Sequence, residues 1–104
     1  EPSLSDMTSA AIKMLQKEDG GYFLFIEGGM IDQAHHYNYA QISLDETKEF
    51  SDAIALARKM TNEEDTLIVV TADHSHVFTY SGYPVSRETL DCINFILILC
   101  FPSQ

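Results

Sequence analysis

All four histidines of this 104-residue chain fall in two short runs that also carry carboxylates. The first is Glu27-Gly28-Gly29-Met30-Ile31-Asp32-Gln33-Ala34-His35-His36, and the second is Thr71-Ala72-Asp73-His74-Ser75-His76. Neutral imidazole nitrogens and carboxylate oxygens are zinc ligands, whereas an all-oxygen set suits magnesium. Each run follows an apolar, strand-like segment, Tyr22 to Ile26 for the first and Leu67 to Val70 for the second. The pattern is that of half a multi-metal site built at the ends of two strands.

Spacing sharpens some of these residues. Asp32 and His36 are four apart, so on a helix they share one face and can offer two ligands to one metal. The plainer reading is a solvated helix start, where carboxylates are favoured anyway. His35 points about 100° away from His36 and reads as solvent-facing, or as supporting a ligand from behind. Gly28-Gly29 reads as a turn that also lets backbone approach a ligand closely. Neighbours on a strand face opposite sides, so Asp73 and His74 share a metal only if the strand ends near Ala72. His76 would then return to the same side and orient a neighbouring carboxylate.

Three kinds of element must position these runs. Ser3 and Asp6 offer a helix cap, and Leu4, Met7, Ala11, Met14 and Leu15 recur at helical spacing, so a helix is expected over 5–18, ended by Gly20-Gly21. Tyr22 to Ile26 is a short aromatic run bounded by glycine pairs, expected to be a buried strand. Ile42, Phe50, Ala53, Ile54, Ala57 and Met60 mark one long helix from about His35 to Met60, followed by a turn over 61–65. Thr66 to Thr71 is β-branched and apolar, a second buried strand. The expected fold class is α/β: helix-strand-helix-strand, with a βαβ unit whose two strands form a parallel pair. Ligands in such sheets gather beyond the carboxyl ends of the strands, where both runs fall.

Composition limits the partners. The 16 acidic and 6 basic residues give a net charge of −10, which repels nucleic-acid phosphates and argues against DNA or RNA binding. An acidic chain that handles phosphate needs bound cations to reverse the local field. A hydrophobic fraction of 45% is ordinary for one small globular domain. Residue 1 is Glu, and no signal peptide opens the sequence. The apolar run from Ile93 to Phe101 is too short for a membrane span. Cys92 and Cys100 could bridge only across a turn.

At these residues the sequence resembles a known family. Phe25-Ile26-Glu27-Gly28-Gly29-Met30-Ile31-Asp32, then His35-His36, and Thr71-Ala72-Asp73-His74-Ser75-His76-Val77-Phe78 are similar to the metal-binding segments of alkaline phosphatases of animal type. Glu64-Asp65-Thr66, Gly82-Tyr83-Pro84 and the opening Pro2-Ser3-Leu4 with Met7-Thr8 resemble the family too. The resemblance covers residues 1–85, read as part of a core domain within a parallel-sheet sandwich. Residues 86–104 read as a tail outside it, of foreign origin such as translated intron, which transcript sequencing across Val85 to Arg87 would test.

The resemblance implies a phosphomonoesterase with two zinc ions and one magnesium. Glu27 is the implied magnesium ligand. Asp32 and His36 are implied for the first zinc, which supplies the attacking hydroxide, and Asp73 and His74 for the second, which holds a nucleophilic serine. His76 is implied to hydrogen-bond the Asp32 carboxylate, and Gln33 to contact substrate. It stands where the family has Lys or His, so it adds no titratable charge there. Reaction through a phosphoserine, a homodimeric parent, and a GPI anchor at the outer face of the plasma membrane (or secretion) are implied as well. No anchor or signal segment is visible in the chain.

The nucleophilic serine has no counterpart, since Ser75, Ser81 and Ser86 lack the family's context. A truncated, inactive segment is therefore expected. Two other readings remain: a related metallohydrolase or mutase, sulfatase-like or phosphoglycerate-mutase-like, and a non-catalytic product that binds metal or pairs with subunits. The Glu-Gly-Gly run before Asp32 favours the first reading over the former.

Overall fold

The computed structural model describes residues 1–76, 78 and 96–100, the last five as backbone. Helix α1 spans Leu4–Leu15 and opens on the cap that its sequence announces. The Ser3 hydroxyl accepts from the Asp6 amide at 3.0 Å while the Asp6 carboxylate accepts from the Ser3 amide at 3.1 Å. Two helix-start donors are satisfied at once by this exchange. Strand β1 is Phe23–Glu27 and β2 is Leu67–Thr71, within one residue of the expected bounds.

The expected long helix is two helices. α2 is Met30–His36 and α3 is Ala40–Met60. Between them Asn38 takes a left-handed backbone, φ 59°. The Tyr39 amide donates to the Ala34 carbonyl at 2.9 Å and the Asn38 amide to the His35 carbonyl at 3.1 Å. This reciprocal pair is the left-handed helix stop that glycine usually provides and asparagine can.

The sheet also differs from expectation. Residues Ile96–Cys100 form a third strand, β3, and the strand order is β1-β3-β2. β3 pairs antiparallel with each neighbour, so β1 and β2 run in the same direction without touching. A direct parallel pair is replaced by two antiparallel ladders, because an apolar segment from the chain's end fills the slot between them. Register keeps the two site-bearing ends level: Glu27 and Thr71 both lie opposite Ile96. Two strand spacings, roughly 9.5 Å, separate them. The 85/86 boundary and Cys92 lie outside the described residues.

The helices cover one face of the sheet. Ile12, Ile26, Ile31, Phe50 and Ala57 form the buried core, with Leu24, Ile54 and Ile68 packed against it. Ala53 and Ala57 are fully buried on α3, and such small side chains let a neighbouring helix come close. Both strands are expected from the sequence to be buried on both sides; β1 alternates instead, and in β2 only Ile68 is partly buried while Val70 is exposed like its neighbours. Phe23, Phe25, Leu67 and Val69 on the opposite face are 40–61% exposed.

Candidate metal centre

Core packing fixes α2, and α2 fixes the first cluster. Ile31 and Ala34 are buried, which turns Asp32 and His36 toward the sheet edge. Gly28 makes this entry possible, because a Cβ there would stand 2.9 Å from the buried Phe50 ring. His36 Nε2 lies 3.2 Å from Asp32 Oδ2, the contact that the four-residue spacing predicts.

The second cluster reaches the same carboxylate. β2 ends at Thr71, and the irregular backbone beyond it frees Asp73 and His74 from strand alternation. His74 Nε2 is 3.4 Å from Asp73 Oδ2 and 3.7 Å from Asp32 Oδ1. His76 Nε2 is 3.4 Å from the same Asp32 oxygen. Asp32 is thus the meeting point of three histidines from two segments.

The donor set fits zinc. Bonds of about 2.0–2.2 Å in a tetrahedron place neighbouring ligand atoms about 3.3–3.6 Å apart, close to the spacings seen. Asp32, His36 and His76 offer three ligand atoms all within 4.8 Å of one another. Two imidazoles and a carboxylate would leave a tetrahedral ion one ligand short of a closed set. His74 carries a further sign. Its Nδ1 lies 2.9 Å from the Ser75 carbonyl, which can only accept, so that nitrogen holds the proton and Nε2 is left as donor atom to a metal. The Ser75 carbonyl, then Asp73 and Asp32, raise the His74 pKa above its ordinary value, so metal competes with a proton there.

Two sequence-expected residues stand apart from this group. The Glu27 carboxylate folds over Gly29 and lines a cavity of about 380 Å³ that also holds Glu46 and Glu49. Its surroundings offer carboxylate oxygens and no imidazole. Gln33 is exposed on α2. His35, read from the sequence as solvent-facing or supporting, is 6% exposed and packs its ring on His76. Sequence spacing gives its direction on the helix but no hint of what lies there.

The alkaline phosphatase family model matches residues 1–96. The chain belongs to the alkaline phosphatase family. It is 49% identical over 83 residues to a membrane-bound alkaline phosphatase of Bombyx mori, covering 80% of this chain and 15% of that protein. It is 54% identical, again over 83 residues and 80% of the chain, to the tissue-nonspecific alkaline phosphatases of Gallus gallus and Felis catus, covering 16% of each. The chain therefore spans about a sixth of the length of these alkaline phosphatases. No solved structure matches it. Among the described residues, no helix is long and apolar enough to cross a membrane.

Proposed function

We propose that this chain is the segment of a metal-dependent phosphomonoesterase that supplies half of its metal centre. The observation that carries this reading is the convergence of His36, His74 and His76 on Asp32 from two strand ends. Asp32 and His36 hold a first zinc, and Asp73 with His74 hold a second. Glu27, set among carboxylates, holds a magnesium ion. His76 steadies the Asp32 carboxylate, and Gln33 meets the substrate from the exposed side of α2.

When bound, such ions polarise phosphoryl oxygens and lower the pKa of bound water to about 7. The chain's own residues set the stage for that chemistry. Asp32 bridges the two clusters and so fixes their separation. The His74 Nδ1 proton, held on the Ser75 carbonyl, fixes the tautomer that presents Nε2. Resemblance to the family supports a nucleophilic serine supplied from outside this chain, a phosphate monoester substrate and a homodimeric parent. The name of the silk-moth relative supports a membrane-bound parent, which we place at the outer face of the plasma membrane on a GPI anchor. The motifs that carry the family likeness end by residue 85, so the tail is proposed to begin at 86, although the family model extends to residue 96.

The test is a full-length family member carrying this segment, with Asp73→Ala or His74→Ala. Removing a partner that merely orients a ligand costs about 10- to 100-fold, and removing a ligand should exceed that in turnover of a chromogenic phosphate monoester. Near-normal turnover in either variant contradicts the assignment. The 104-residue chain alone is expected to release no phenolate with zinc and magnesium at alkaline pH. Chelator-sensitive turnover by it would overturn that part.

A further inference from the structure

His35 has no role in the reading given above, yet it is the most deeply buried of the described histidines, at 6% exposed. Neither of its ring nitrogens has a hydrogen-bond partner in good geometry. Burial, then His76, hold its pKa below the ordinary value, and the Ile31 carbonyl one turn back opposes them. A polar ring sealed from water without a firm partner carries a cost that Leu or Phe at this position would avoid. What the ring does touch is the metal centre. It lies 4.9 Å from the His76 ring with only 15° between the planes. Phe78 closes on His35 edge-on at 5.8 Å, and His36 meets His76 edge-on at 4.7 Å.

We propose that His35 is a positioning residue, whose ring stacks on His76 and fixes the plane in which His76 Nε2 faces Asp32. Consecutive residues of α2 thereby grip one imidazole from two sides, His35 on its face and His36 at its edge. A helix turns about 100° per residue, so adjacent positions suit this grip and positions four apart would not. Flat rings in offset contact hold each other more firmly than aliphatic packing does. His76 stands on irregular chain, and nothing in its own backbone regularity would set its ring plane.

This inference rests on the reading of Asp32 and His36 as metal ligands with His76 orienting the Asp32 carboxylate, but its first test needs no metal. In the metal-free 104-residue chain, ring-proton NMR reads the shielding of His76 by the neighbouring ring. His35→Ala and His35→Leu should both move the His76 signals toward those of free histidine, and His35→Phe should keep them shifted. Zinc titration by calorimetry should follow the same order. Affinity falls about three- to tenfold in His35→Ala and His35→Leu, the scale of a lost ring contact, and recovers within about twofold in His35→Phe. Far-ultraviolet circular dichroism checks that helicity is kept. If His35→Ala loses helicity, the comparison of Leu with Phe, both of which fill the core, decides alone. Equal His76 shifts and equal zinc affinities in the Leu and Phe variants would overturn the proposal. Failure of wild-type chain to bind zinc at all, with the NMR order intact, would count against the metal reading and leave the stack standing.

Discussion

At the end of β1, Asp32 and His36 sit on a helix whose opposite side, Ile31, Ala34 and His35, is buried. After β2, Asp73 and His74 stand on irregular chain that no helix or strand holds in place. Backbone periodicity and core packing fix the first pair before any ligand arrives. The second pair has no such support, and His74 is the member that reaches Asp32, at 3.7 Å. The dependence therefore runs in one direction: damage at the first strand end should reach the second, and damage at the second should stay local.

The sharpest way to break this comparison is to delete the shared carboxylate. Asp32→Ala should abolish zinc binding to the chain, a loss of more than about a hundredfold, because His36 loses its partner ligand and His74 and His76 lose the carboxylate they converge on. Asp73→Ala should leave binding by Asp32 and His36 within about tenfold of wild type. Zinc titration of both variants measures the difference, and equal losses would show that the strand ends are independent.

The next effect is on the packing that holds α2. Phe50 is 1% exposed and touches the Gly28 turn. Phe50→Ala should cost about 3–5 kcal/mol, enough to remove a cooperative thermal transition from a piece this small. Retention of a sharp melt would mean that the first cluster does not depend on this core.

Two glycines then give a finer contrast. Gly28→Ala pushes a Cβ into the Phe50 ring, which is enclosed and cannot yield, and should cost about 1–3 kcal/mol. Gly29→Ala meets the mobile end of the Glu27 carboxylate at 3.4 Å and should cost less. Thermal melts of the two variants check the order, and a larger loss at Gly29 would relocate the constraint.

The smallest effect lies at Tyr22, just before β1. Burial, and then Asp65, raise its pKa above the ordinary 10.0. The folded state therefore holds this proton longer than the unfolded chain does. Its contribution is present in full below about pH 10 and is lost as pH climbs through the folded pKa. Tyr22→Phe should flatten this alkaline decline in melting temperature, and an unchanged slope would assign it to another group.

Some of this structure was legible in the residues. Ser3 with Asp6 announced the start of α1, and the apolar runs before Glu27 and Ala72 announced β1 and β2. The four-residue step from Asp32 to His36 gave a contact that the fold contains. The break between α2 and α3 carried a signal too, since Asn38 is the residue that most readily replaces glycine in a left-handed stop. It was outweighed by the absence of Gly or Pro between His35 and Met60. The insertion of β3 between the other strands was not legible. An apolar run without alternation does not say which distant segment it will pair with. Nor could spacing show that His35 faces His76, because the neighbour comes from a segment about 40 residues away, and such long-range contacts leave no local pattern.

The most direct test of the central claim, that the two strand ends build one metal centre, is zinc K-edge X-ray absorption on the zinc-loaded chain. The expected spectrum shows nitrogen and oxygen neighbours at about 2.0–2.2 Å with the outer scattering of two or more imidazoles. Since His36 and His74 come from different strand ends, imidazole scattering lost from both in Asp32→Ala would tie the two segments to one centre. Zinc surrounded by water oxygens alone, or by a single imidazole that survives Asp32→Ala, would contradict the account.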